Sequence, residues 1–164
     1  MTLTAHAITG AAVASLTPNK PLLGFAVGFV SHFVLDAIPH WGYFLGSMKM
    51  DKNNPANDEM IINHKFWQDL LKISFDGVVG FLISYLIFGL YFKYSFFIVL
   101  CGVVGAILPD ALQFISIKWR REPFTGLRRF HLWLQSGINL DDKPILGVLS
   151  QAIVVCLIIW LVRI

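Results

Sequence analysis

Four apolar runs, Pro21–Ile38, Leu70–Phe92, Ser95–Ile117 and Pro144–Leu161, dominate this chain. Each comes close to the roughly 20 apolar residues that an α-helix needs to cross a bilayer. A backbone in hydrocarbon must satisfy its own hydrogen bonds, so runs of this kind fold as helices. Composition agrees. Charged residues make up 14% of the chain, where a water-soluble domain carries about 25% to solvate its surface. The fold class read from the sequence is an all-α integral membrane protein, a single membrane domain over residues 1–164. A fifth segment, about 3–16, is short and built of Ala, Thr, Gly and Ser around His6. Small residues let helix backbones approach one another, so this segment is expected as a short span packed inside the bundle or as a re-entrant helix. The count is then about five transmembrane helices, over about 3–16, 21–38, 70–92, 95–117 and 144–161.

The connections fix an expected orientation. Thr17–Lys20 and Lys93–Tyr94 are tight, whereas 40–69 and 118–143 are long and polar. The long loops hold Lys49, Lys52, Lys65, Lys118, Arg120, Arg121, Arg128, Arg129 and Lys143. The opposite side holds Lys20, Lys93 and Arg163, with Lys72 just inside the third helix. Basic residues are retained on the cytoplasmic side, which predicts cytoplasmic long loops and a cytoplasmic N-terminus in a multi-pass protein. Trp41, Trp67, Trp119 and Trp133 border or occupy the same loops, as an interfacial aromatic belt would. Cys101 and Cys156 both lie in apolar runs, so no disulfide framework is expected. The opening MTLTAH has no basic stretch, and no cleavable secretory signal is expected. Beyond a net charge of +3 nothing points to nucleic acid, and no phosphate-binding glycine loop, dinucleotide fingerprint, serine elbow or paired Cys-x-x-Cys is present.

Ionisable side chains inside spans are costly and mark functional sites by default. Here His6, His32, Asp36, Asp76 and Asp110 fall within spans, and His40 follows the second. His6 opens its helix, Asp36 closes the second, Asp76 is early in the third, and Asp110 lies in the last third of the fourth. By direction of travel all approach the same face, where the loops add His64 and His131. One cytoplasm-facing cavity could gather them. His32, Asp36 and His40 are spaced i, i+4, i+8 and share one helical face, with Pro39 ending the helix beside them. Imidazole and carboxylate one turn apart suit a divalent first-row metal, zinc above all.

A faint internal repeat accompanies the pattern. Leu35-Asp36-Ala37-Ile38 is similar to Pro109-Asp110-Ala111-Leu112, 74 residues later. The polar order is His6, Asp36, His64 in one half and Asp76, Asp110, His131 in the other, which fits a two-fold duplication with a site at the interface.

Met1-Thr2-Leu3-Thr4-Ala5-His6, Asp36-Ala37-Ile38-Pro39-His40 and Leu108-Pro109-Asp110 resemble short motifs of the bacterial inner-membrane metal-dependent hydrolases, the YdjM-like group. That family's later His-Arg-Gly…Thr-His-Ser motif has only a degenerate echo in Phe130-His131-Leu132-Trp133-Leu134-Gln135-Ser136. The resemblance implies a bacterial-type inner-membrane enzyme, a metal-dependent hydrolase acting at the cytoplasmic leaflet on a lipid or phosphate ester. On this reading His6, His32, Asp36, His40 and Asp110 ligate one or two divalent ions, most plausibly zinc. Asp76, Asp110 and His131 serve the chemistry. Arg120, Arg121, Arg128 and Arg129 clamp an anionic headgroup, and membrane lipid is the partner.

Plainer readings stand beside this one. Asp76 follows Lys72 by one turn and an ion pair would explain it. The arginines could be ordinary cytoplasmic charge, and His64 a solvated loop residue. The whole set could instead relay protons or cations in a small transporter, or form the buried network of a scaffold without chemistry.

Overall fold

The computed structural model describes residues 1–51, 54, 57–138 and 140–163. Lys52, counted above with the basic loop residues, lies outside them. Among the described residues there are six α-helices: α1 (Leu3–Ala14), α2 (Pro21–Asp36), α3 (His64–Ser84), α4 (Phe96–Trp119), α5 (Phe124–Leu134) and α6 (Pro144–Arg163). A π-helical turn, Tyr85–Tyr91, continues α3, and two short strands, β1 (Met48–Lys49) and β2 (Glu59–Met60), pair antiparallel. Three helical stretches, His64–Tyr91, Phe96–Trp119 and Pro144–Arg163, are long and apolar enough to cross a membrane. The flanks of α3 and α6 expose Leu71, Phe75, Val78, Leu82, Ile145, Leu149, Ile153 and Leu157. Apolar surface of that extent calls for lipid or a partner against it.

The interior belongs to α1. Ten of its twelve residues are buried, and it packs against α2, α3, α4 and α6. At ~1.5 Å per residue such a helix falls well short of a bilayer's hydrocarbon core. Its lack of bulk is what admits its neighbours. Gly10, Gly28 and Gly102 meet where α1, α2 and α4 cross, and a Cβ added to Gly28 would lie 2.5 Å from the Gly102 carbonyl oxygen.

The helix ends follow local chemistry. Thr2 caps α1 by accepting from the Ala5 N–H, Pro21 occupies the first turn of α2, and Ser95 caps α4 through the Phe97 N–H. α3 begins at His64, earlier than hydropathy alone places it. The reason is Asn63, whose side chain accepts from the Lys65 and Phe66 N–H groups and starts a polar first turn. The expected loop 118–143 likewise contains a helix, α5, amphipathic rather than spanning. Its Phe130 and Trp133 face outward while His131 is buried on the opposite side.

Candidate metal centre

Asp36 is the centre of the site. It closes α2 where Ala37-Ile38-Pro39 turns the chain, and its side chain is almost fully buried. Four imidazoles surround it. Nε2 of His6 and of His40 approach Oδ1 at 3.3 and 3.6 Å. Nε2 of His131 and of His32 approach Oδ2 at 2.8 and 3.3 Å. The Met1 amine donates to Oδ1 at 3.2 Å. Asp110, from α4, brings Oδ1 to 3.6 Å from His32 Nε2. Together His32, Asp36, Asp110 and His131 offer ligand atoms within 4.8 Å of one another.

Each element contributes by its own local logic. The i, i+4 step puts His32 one turn below Asp36 on α2, and the chain reversal after Pro39 returns His40 to the same carboxylate. Pro109 breaks the α4 hydrogen-bond ladder one residue before Asp110. In the adjoining turn the Ala106 carbonyl accepts from His32 Nδ1 at 2.7 Å. His40 Nδ1 likewise donates to the Ile38 carbonyl at 2.7 Å. A ring nitrogen that close to a carbonyl oxygen carries the proton, so in the neutral ring Nε2 is the lone pair. That is the tautomer and anchoring a metal-binding histidine needs. Neither His6 nitrogen nor His32 Nε2 has a hydrogen-bond partner, although all are buried. Outside the helices, burial pushes the His40 imidazole below its ordinary range. Burial and then the hydrogen bond to Asp76 push the Tyr43 hydroxyl above its own.

The remaining candidates lie elsewhere. Asp76 accepts from the Leu3 and Thr4 N–H groups at 2.6 and 3.2 Å, from Thr4 Oγ1 at 2.6 Å and from Tyr43 at 2.7 Å. It anchors the N-terminus of α1, whose dipole and free N–H groups favour an anion. Lys72 does not pair with it. Lys72 instead reaches Asp69 and the Phe44 carbonyl. His64 is exposed at the start of α3.

The arginines do not form one clamp. Arg128 forms an ion pair with buried Asp58, and Arg120 donates to the Asp58 carbonyl at 3.2 Å. Arg129 pairs with Glu122 at the surface, and Arg121 is exposed. Hydrogen bonds from Thr125 and the Gly126 N–H hold the Glu122 carboxyl below its usual range.

Three polar residues that sequence reasoning passed over join the site or brace it. Gln113 donates to Asp110 Oδ1 at 3.1 Å and lies 3.4 Å from His131 Nε2. Gln151 of α6 accepts from the Thr2 N–H and hydroxyl, both at 3.0 Å, and donates to the Trp41 carbonyl at 2.8 Å. Tyr43 accepts from the Leu3 N–H while donating to Asp76. The available signals were one amide alone in an apolar run and another one turn after Asp110.

A cavity of about 630 Å³ opens onto Asp36, Asp110 and His131. Its remaining walls are largely apolar, including Leu45, Met48, Phe114, Ile117 and Leu132, with Arg128 among them. No protein family, curated protein or solved structure matches this chain.

Proposed function

We propose that this protein is a membrane-embedded, metal-dependent hydrolase acting at the cytoplasmic leaflet on a lipid or phosphate ester. The reading rests on the meeting of acceptors around Asp36. His32 and His40 donate their Nδ1 protons to carbonyls yet aim Nε2 at carboxylate oxygens. Facing lone pairs in a buried site repel unless a cation stands between them. A proton could serve one ring. Four rings around one carboxylate, two of them stacked 4.0 Å apart, repel one another if all are charged. A divalent ion supplies the charge at once, and imidazole nitrogen with carboxylate oxygen is the donor set zinc takes.

His32, Asp36, Asp110 and His131 would hold such an ion. When bound, it lowers the pKa of a coordinated water toward about 7 and polarises an ester oxygen. Asp110 is steadied by Gln113 and reaches the cavity with a quarter of its side chain exposed; with one oxygen toward the ion, its other oxygen would take the proton of the water. Asp76 is fully engaged at α1. The apolar walls suit an acyl chain, and Arg128 is the member of the arginine group within reach of a headgroup.

The same reading has α1, α2, α3, α4 and α6 as five membrane-embedded helices, with the long loops and N-terminus cytoplasmic. A duplicated origin draws support from the 74-residue offset that relates Asp36 to Asp110. It also relates Gly28 to Gly102 and His32 to Ala106, and both pairs touch. The likeness to the YdjM-like hydrolases points the same way.

The test is hydrolysis of phosphatidic acid vesicles and of a soluble phosphodiester by zinc-loaded protein. Turnover should vanish with chelator, return with zinc, and fall about 100-fold or more in Asp110→Asn. Loaded protein that cleaves no ester but carries protons across a liposome membrane overturns the reading in favour of a transporter.

A further inference from the structure

We propose that the centre holds two divalent cations side by side, bridged by the Asp36 carboxylate. The inference rests on the metal reading of the same cluster and extends it to residues outside the group of four. The two oxygens of Asp36 face separate sets of nitrogens. Oδ2 meets His32 and His131, with Asp110 beside them, whereas Oδ1 meets His6, His40 and the Met1 amine. An ion on the Oδ2 side, with the Met1 amine on Oδ1, still leaves the Nε2 atoms of His6 and His40 unaccounted for. His6 is wholly buried with neither ring nitrogen hydrogen-bonded, a costly state for a polar group unless something else binds it.

The spacing fits two ions. With metal–ligand bonds of about 2.0–2.1 Å, neighbouring ligands in a tetrahedral shell lie about 3.4 Å apart. The separations from His6 and His40 to Oδ1, and from His32 to Oδ2 and Asp110, run 3.3, 3.6, 3.3 and 3.6 Å, whereas His131 stands at the hydrogen-bonding distance of 2.8 Å from Oδ2 and would have to draw back to share an ion with it. His6 and His32 stack nearly parallel, 4.0 Å apart and 18° from coplanar, each aimed at a different oxygen of the same carboxylate. Ions on their Nε2 atoms would be near neighbours, as are the paired metals, about 3.5–4 Å apart, that act together on phosphate esters. The bridging carboxylate lies between the two positive charges and offsets their repulsion. Asp36 is thereby a ligand to both ions.

Metal analysis and electron paramagnetic resonance of full-length protein, stripped and reloaded with Mn²⁺, test this. Wild type should bind two equivalents and give an exchange-coupled spectrum. His6→Gln and His40→Gln should each drop to one equivalent with an uncoupled six-line spectrum. His40 lies outside the helices, so its variant remains informative if His6→Gln fails to fold. One equivalent in wild type, or two retained in both variants, overturns the bridge and leaves a single-metal centre standing. No bound metal at all overturns both readings.

Discussion

Four imidazoles around one carboxylate could hold a metal ion, and pH gives the sharpest check of that at the scale of single residues. Protons and metal compete for the same nitrogens, so affinity should fall as pH drops through the imidazole range. Burial holds His40 below its ordinary range. The fold therefore keeps the neutral ring, and stability present above that range is lost as pH falls through the lowered value. With metal at about 100 times its Kd, binding adds about 2.7 kcal/mol to the folded state. Thermal melts should show a chelator-sensitive rise in Tm at pH 8 that is absent at pH 5; equal rises at both would contradict imidazole ligation. Asp76 gives a second check. Asp76→Ala removes an acceptor from the first two N–H groups of α1 and from Thr4 and Tyr43. It should destabilise the protein by about 2 kcal/mol in chemical unfolding while sparing metal stoichiometry. Much of the centre was legible because ionisable groups in apolar runs stand out one by one. The role of Asp76 was not, since its partners are the backbone and hydroxyl groups of Leu3, Thr4 and Tyr43, all far from it in sequence. Gln113, Gln151 and Tyr43 escaped because amides and hydroxyls are common enough in spans to draw no notice.

At the level of elements, hydropathy finds apolar helices and little besides. It located α2, α4 and α6 to within a few residues, but missed the polar first turns of α3, which Asn63 initiates. It also missed α5, whose apolar residues recur at helical intervals and so leave its average low. α5 brings His131 to the centre from one face and presents Phe130 and Trp133 on the other. The crossing of α1, α2 and α4 depends on glycine for space rather than for flexibility. Any side chain at Gly102 would strike the Gly10 carbonyl, and backbone cannot swing aside as a side chain can. Gly102→Val should cost about 3 kcal/mol, read as a fall in folded yield and Tm. It should also reduce bound metal, because α1 and α2 carry His6, His32 and Asp36. A variant with wild-type melting and metal content would mean that the helices do not approach this closely.

For the whole molecule, the distribution of charge decides orientation. Reporter fusions at Asn54 and Gly137 should both register as cytoplasmic, and one at Lys93 as external; an external signal from either long loop would move the centre to the other leaflet. The sequence reading assigns the two sides by counting lysines and arginines. It could not see that Arg120 and Arg128 also tie the β2 region, through Asp58, to α4 and α5. Residues counted for orientation also serve as structural ties here, and a count registers nothing of the ties.

The burial of α1 has a consequence for biogenesis. A twelve-residue helix of small side chains carrying a histidine gives an emerging chain little reason to remain in a bilayer, and α2 ends on an ionisable carboxylate. The first hairpin therefore depends on α3, α4 and α6, which leave the ribosome later, to hold it in place. Asp110 arrives with α4 and His131 with α5, after His6, His32 and Asp36 have been made. The centre can close only when synthesis is nearly complete, and a chain stalled before α4 would hold His6, His32 and Asp36 without their later partners.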